Sequence, residues 1–470
     1  MEKMEFMNVD FMLENQKSKV LYEKVKKTPI FDFHCHINPK EIYEDKNYKN
    51  IVDLWLGGDH YKWRLMRYAG IDEKYITGNA IAEEKFQKWA ETLTYAFGHP
   101  LYHWSHLEMF QLFGIRENLT LDNWKSIYDR MNRIIVEEQF SPRKLLKKAN
   151  VKFIGTTDHP LDDLQYHEKL IKENYEVIVA PTFRPDELFV EHKNFNNFIL
   201  ELSKKTNIAI DDYDSLVQAI DQRIRYFKKM GCRAADHSIE KIVYQDMNKD
   251  QINMVLKKAI NNEVLTEKEI NGWQTAILRT LHKIYTEENL VSQIHFGAIR
   301  NNNSKKYSLL GADSGFDSIC EQIDLSKNLN KFLNNLLEND ILPKIIFYNL
   351  NPSFNKILPN TLGNFQDNQE NVKGKLQFGA GWWFNDTEYG MRQQMLYYSE
   401  EGILGEFIGM LTDSRSLLSY QRHDYFRRIL SSLIGEWVEK GKIPNDEQLL
   451  NRFMQKICYE NAERYFLGDE

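Results

Sequence analysis

Cysteine is scarce in this sequence. Four of 470 residues, Cys35, Cys232, Cys320 and Cys458, stand far apart with no Cys-x-x-Cys pair, which argues against a disulfide framework or a cysteine-based zinc site and points to a reducing, cytoplasmic setting. Long apolar runs are missing too. Nothing approaches the roughly 18 to 20 residues that cross a bilayer, and the first residues mix charges of both signs, so neither a membrane span nor a signal peptide is expected. Nor does one sign of charge dominate: 61 Lys and Arg against 68 Asp and Glu leave −7 without a long basic run, which speaks against nucleic acid or an anionic membrane as partner. What is present is a 42% apolar fraction with 13% aromatic residues, far above a disordered chain and enough for a sizeable core. The expected partner is a small molecule, and assembly into a homo-oligomer is left open.

Eight short apolar segments end in polar or glycine-containing stretches, at 29–36, 152–160, 176–186, 231–238, 290–301, 344–352, 375–386 and 406–416. Between them the apolar positions fall three or four apart, the helical period. Strand and helix in alternation predict parallel βαβ units, and eight of them predict a (β/α)8 barrel of the TIM type rather than an open doubly wound sheet. Gly379 and Gly381 follow the seventh segment instead of the first and lack a third glycine, so they make a poor nucleotide fingerprint. Residues 1–39 read as an N-terminal helix and first strand, and 40–150 as an inserted helical subdomain. Residues 151–470 read as the rest of the barrel, with a helical insertion at 239–289 and C-terminal helices.

In such a barrel the loops at the C-terminal strand ends build the one large cleft. Of 13 histidines, His34 and His36 end the first segment, His159 the second, His237 the fourth and His295 the fifth. Strand alternation points His34 and His36 to one side with Cys35 opposite, and two neutral imidazoles on one face can chelate one cation. Asp413 ends the eighth segment, which neighbours the first in a closed barrel, and would approach the same ion from the side. Arg415 follows two residues later, on the same face if the strand continues. A hydrogen-bonded polar pair and a structural ion pair are the plainer readings of these two sets. Arg184, in FRPD, offers a planar fork for a carboxylate, with a surface arginine as the alternative. His60 and Tyr61, in GDHYKWR, bring two proton-transfer side chains together, as a lid over a charged substrate or as a solvated loop. Of Trp382 and Trp383 in GWWFND, one is expected to line the cleft and the other to pack on a helix. His99, His103 and His106 are spaced for one helix face but lack a carboxylate, and read as packing.

Taken in order over residues 10 to 465, FDFHCH, GDHYKWR, TTDHP, FRPD, QIHFGAIRNNN, GWWFND and LTDSRS followed by SYQRHDYFRRIL resemble the uronate (glucuronate) isomerases of the amidohydrolase superfamily. That resemblance implies a metal-supported barrel that interconverts D-glucuronate with D-fructuronate, and D-galacturonate with D-tagaturonate. It also implies one divalent metal ion, zinc by preference, and a uronate as the small-molecule partner. Position by position, His34 and His36 match the metal-binding pair, Asp413 the eighth-strand aspartate and Arg415 its neighbouring arginine. His295 matches the histidine of the Gln-x-His segment, as a further ligand or a substrate contact. Arg184, His60 and Tyr61 match segments that face the sugar acid, and Trp382 is taken with the substrate contacts. One departure stands out: where the family pattern reads TTDDP this chain has TTDHP, which leaves the metal set intact and puts the role of Asp158 and His159 in doubt.

Aldose to ketose conversion moves a hydrogen from C2 to C1 while the carbonyl shifts the other way. In a proton-transfer route through a cis-enediolate, Asp413 is the candidate base, Arg415 steadies the enediolate and Arg184 anchors the C6 carboxylate. A metal-bridged hydride shift is the other route, and sequence does not choose. Two further readings are a single-metal hydrolase of the same superfamily and a non-catalytic sugar-acid binding protein. A two-metal hydrolase is disfavoured because the fourth segment end, CRAADHS, offers no lysine and the sixth, FYNLNP, no histidine. The presence of Asp413, Arg415 and the histidine pair argues against a protein that only binds.

Overall fold

The computed structural model describes residues 6–368 and 372–468. Its strands are β1 (Ile30–Asp32), β2 (Val151–Gly155), β3 (Ile178–Ala180), β4 (Thr182–Phe183), β5 (Ala234–Ile239), β6 (Val291–Phe296), β7 (Ala298–Ile299), β8 (Ser318–Ile319), β9 (Ile345–Asn349) and β10 (Leu376–Phe378). The first three pair in the order β1-β2-β3, and a five-stranded set runs β10-β9-β6-β5-β4, with every pairing in both sets parallel. β3 and β4 are one run interrupted at Pro181, which has no N–H to give a ladder. The wall continues across that break, because Asp158 N–H donates to Thr182 O at 3.0 Å and Asp158 bridges to Phe183 in parallel. Seven barrel positions therefore follow one another in chain order. β7 and β8 form a small antiparallel pair outside them.

The eighth position departs from expectation. Residues 407–414 carry no assigned strand, and positive φ at Gly409 and Asp413 breaks the pleat there. The segment nevertheless joins the first strand through two backbone hydrogen bonds, Asp413 N–H to His34 O (3.0 Å) and His36 N–H to Ser414 O (2.9 Å). On its other side, Gln377 Nε2 donates to Glu406 O at 3.1 Å, so the seam to β10 is held by a side chain. β1 is also shorter than expected and ends at Asp32. Beyond it the chain lies against β2, with Cys35 N–H donating to Gly155 O at 2.8 Å. A Cβ at residue 155 would sit 2.5 Å from Phe33 O, so glycine is what allows that approach.

The parallel strands are covered on both faces, as crossover helices require, and all six residues of β6 are buried. Between β1 and β2 the chain forms seven α-helices, from Pro39–Glu44 to Pro142–Lys148, with a short 3-10 turn at Glu73–Tyr75. Asn38, Asn50, Asp59 and Ser141 each cap one of these helices by accepting a backbone N–H. Trp55, Phe86 and Trp89 from this region belong to the same buried cluster as Phe31 and Phe153 of the barrel. Within 239–289 lie helices Lys249–Ile260 and Glu267–Glu287, and the second leads directly into β6 as the crossover of the β5–β6 pair. At the C-terminus, helix Gln421–Glu439 buries its first fifteen residues, charged ones included. No helix among the described residues is long and apolar enough to cross a membrane.

Two outcomes follow from this packing. Gly155→Ala forces a Cβ into the Phe33 carbonyl and is expected to cost about 2 kcal/mol, read as a lower urea midpoint. Burial lowers His106, His167 and His237 to about 4 and His282 to about 3, from an ordinary 6.5. The unfolded chain then takes up these protons first, so stability falls as pH drops through that window. Asp158 and Asp386, raised by burial to about 7 and about 6, act in the opposite sense but are fewer. The urea midpoint is expected to decline between about pH 6.5 and 4; a midpoint that rises on acidification would contradict this balance.

Candidate active site

The stretch after β1 places two imidazoles against one carboxylate. His34 Nε2 lies 3.2 Å and His36 Nε2 3.0 Å from the same oxygen, Asp413 Oδ1, with the two rings 5.4 Å apart and Cys35 buried behind them. The other carboxylate oxygen, Oδ2, accepts the indole N–H of Trp382 at 2.8 Å. Donor separations near 3 Å are those of neighbouring ligands on a tetrahedral cation with bonds of about 2.0–2.1 Å, and two imidazoles with a carboxylate form a common catalytic donor set. These three residues fit a divalent metal.

A second group shares His34. His295 faces it at 4.7 Å between ring centroids, and His34, Asp236 and His295 offer donor atoms that also lie within 4.8 Å of one another. His295 Nδ1 pairs with Asp236 Oδ1 at 2.7 Å, while its buried Nε2 has no hydrogen-bond partner. An imidazole tethered through Nδ1 presents Nε2 to whatever occupies the cleft, which keeps both roles considered for His295 open.

An inner cleft of about 230 Å³ collects the candidate residues: His34, His36, His60, Tyr61, Arg184, His295, Trp382, Asp413 and Arg415 all line it. A wider cleft of about 710 Å³ shares His36, His60, Tyr61, Asp413 and Arg415 with it. His60 and Tyr61 start helix His60–Tyr68, whose N-cap Asp59 accepts the N–H groups of Tyr61 and Lys62. Arg184 is already engaged, with Nε on Asp186 (2.9 Å) and one terminal nitrogen on Asp236 (3.1 Å), so only part of its fork is left for a ligand. Arg415 reaches Asp313 at 3.0 Å. The expectation that Asp413 and Arg415 share a strand face does not hold, because Asp413 is left-handed (φ 45°); both reach the cleft nonetheless. Both tryptophans line the cleft, where one was expected, and Trp383 also packs on a helix, stacking on Tyr61 of helix His60–Tyr68 at 6.0 Å.

Sequence reasoning missed Asp236, Asp313 and Arg300. Asp236 was legible by parity: on β5 it shares a face with Ser238, a cleft residue, while His237 turns outward onto Tyr285. Arg300 stacks on Trp383 at 4.9 Å and donates to Ser238 Oγ at 2.9 Å. Asp313 comes from the loop between helix Ser304–Leu310 and β8, and nothing local announces it. His159 sits outside the cleft, paired with Glu187 at 2.9 Å. His99 caps helix Pro100–Phe113, His103 meets the Tyr425 hydroxyl and His106 the Tyr102 carbonyl, as packing residues would.

The sequence profile of the family described as glucuronate isomerase matches residues 3–466. The chain belongs to the glucuronate isomerase family. It is 53% identical to the uronate isomerase of Streptococcus pneumoniae, over 98% of this chain and 100% of that one. It is 48% identical to that of Caldanaerobacter subterraneus, over 98% and 99%. Among solved structures, the uronate isomerase of Thermotoga maritima superposes with a TM-score of 0.93 at 30% identity, covering 98% of this chain and 100% of that one. The glucuronate isomerase of Caulobacter crescentus gives 0.89 at 22%, covering 99% and 97%, which bears on the fold alone. These likenesses make the wall described above a TIM-type barrel, its eighth position irregular.

The electrostatics of the cleft favour particular protonation states. Burial pushes Asp413 up, but hydrogen bonds and charge from His34 and His36 outweigh it and hold the carboxyl well below its ordinary range. Burial pushes the Tyr61 phenol well above its usual value and lowers His60, the latter helped by Arg415, so both are neutral. Trp382→Phe removes a hydrogen bond to a buried carboxylate, worth about 1.5–3 kcal/mol. The expected result is a roughly 10- to 100-fold fall in kcat with KM within about threefold, checked by steady-state kinetics.

Proposed function

We propose that the cleft interconverts an aldohexuronate and its ketose, D-glucuronate with D-fructuronate and D-galacturonate with D-tagaturonate, by proton transfer through a cis-enediolate. Membership of the family makes the chain an aldose–ketose isomerase of uronates. The observation that carries the mechanistic reading is the convergence of His34, His36 and Asp413 with Arg415, His60 and Tyr61 on one small cleft.

His34, His36 and Asp413 would hold one divalent cation, zinc by preference, and when bound it supplies Lewis-acid polarisation of the substrate carbonyl. Asp413, ionised and with Oδ2 oriented by Trp382, takes the C2 proton and returns it to C1. The carbonyl shift also needs a proton to leave the C2 oxygen and one to reach the C1 oxygen. His60 and Tyr61 are suited to that relay, because both are neutral and side by side, 4.9 Å between ring centroids. Arg415 sits beside Asp413 in the cleft and steadies the negative oxygens of the enediolate. Arg184, oriented by Asp186 and Asp236, offers the rest of its fork to the C6 carboxylate, which fixes the carbons that meet the base.

The test is D-glucuronate and D-galacturonate turnover by metal-loaded wild type and Asp413→Asn, with metal content measured on each. The wild type is expected to convert both sugars, and the variant to lose activity by at least about 1000-fold while keeping most of its metal. No turnover of either sugar by the wild type would sink the isomerase reading. Run in deuterated water, the reaction should place solvent deuterium in the product. Complete retention of a C2 label would instead favour a hydride shift.

A further inference from the structure

Two features of the site are not accounted for by the ligand set itself. Asp413 adopts a left-handed backbone, φ 45°, which side-chain-bearing residues rarely take. And two residues ahead of His34, the strand carries a fully buried carboxylate, Asp32. Each oxygen of Asp32 takes a hydrogen bond from Thr412: Oδ1 accepts the Thr412 N–H at 2.7 Å and Oδ2 accepts the Thr412 hydroxyl at 2.6 Å, while the side chains of Tyr420 and His423 also face the carboxyl group. Among the described residues its one ion-pair contact is His423 Nε2, 3.8 Å away.

The far side of Thr412 is held as well. Arg422, itself fixed by Asp386 at 2.5 Å, donates to the Thr412 carbonyl. The next N–H, that of Asp413, donates to His34 O at 3.0 Å. The Thr412 carbonyl and the Asp413 N–H are the two ends of one planar peptide unit. The φ torsion of Asp413 is therefore set against a plate secured at both ends, with Asp32 pinning the residue before it. From that conformation one carboxylate oxygen meets both imidazoles.

We propose that Asp32 and Thr412 are positioning residues: with Arg422 they hold the 412–413 peptide so that Asp413 takes the left-handed form that turns its carboxylate onto His34 and His36. This rests on the reading of Asp413 as metal ligand and base. The segment that supplies the two histidines thereby also aims the third ligand, through the last residue of β1, which touches neither metal nor sugar.

The test uses the full chain, with cobalt(II) as the probe metal and its visible absorption as the readout of ligand geometry. Wild type, Thr412→Val, Thr412→Ser and Asp32→Asn are compared by cobalt titration, kcat, KM and thermal melting. Thr412→Val and Asp32→Asn should weaken cobalt binding about tenfold or more and change the absorption band. They should also lower kcat by a similar factor with KM within about threefold. Thr412→Ser, which keeps the hydroxyl, should restore all of these to within about threefold of wild type. If Asp32→Asn does not fold, the valine and serine pair still decides. A valine variant with wild-type spectrum, affinity and kcat overturns the proposal, as does a serine variant no better than valine. Wild type that binds no cobalt would instead remove the metal reading itself, and the two failures are told apart by that control.

Discussion

One close approach governs the cleft: the stretch after β1 lies between Gly155 on one side and the irregular eighth segment on the other. The hydrogen bonds from Asp413 N–H to His34 O and from His36 N–H to Ser414 O stand in for a strand ladder. They bring donors almost four hundred residues apart in sequence to within 3.2 Å. Because the eighth segment is not a regular strand, its carboxylate is free of the alternation that fixes side-chain direction in a sheet. A regular eighth strand would close the barrel more evenly, but Asp413 would then point where the pleat dictated.

Around that seam the inner cleft concentrates charge, and each of the three arginines lining it is steadied by an acid. Arg184 has Asp186 and Asp236, Arg415 has Asp313, and Arg300 has Asp317 at 3.3 Å. Such pairing sets the guanidinium planes before a substrate arrives, so less ordering is left for binding to accomplish. Neutral groups are maintained by the same burial. Tyr61 keeps its proton and His60 stays uncharged because desolvation in the cleft disfavours the charged form of each.

The helices between β1 and β2 are part of this arrangement rather than an appendage. They share the barrel's apolar core and deliver His60 and Tyr61 on a capped helix start, with Tyr61 stacked on Trp383 from the seventh strand end. Helix Gln421–Glu439 works from beneath. Its Arg422 reaches the Thr412 carbonyl and lies over the Trp104 ring, so the C-terminal helix, the insertion and the eighth segment meet at one guanidinium.

Much of this could be read from the sequence. Strand-length apolar segments alternating with helical periodicity announce parallel βαβ units, because each element must bury one face against the next. His34, His36, His295 and Asp413 were legible because a barrel exposes its strand ends at one mouth, whatever the loops do. The outward turn of His237 and the inward turn of Asp236 follow from strand parity, a signal that was present and went unused. Other features depend on contacts between residues far apart in the chain, which no local pattern encodes. The left-handed turn at Asp413, the engagement of Arg184 by two carboxylates, the arrival of Asp313 from a distant loop and the placing of Trp383 in the cleft are of this kind. The sequence by itself determined that His34, His36, His295, Asp413 and Arg415 stand at the mouth of the barrel, but not that Asp236, Asp313 and Arg300 join them. Only the tertiary structure decided their directions and partners, because hydrogen bonds across the seam and burial, not periodicity, fix where a side chain points once a strand ends.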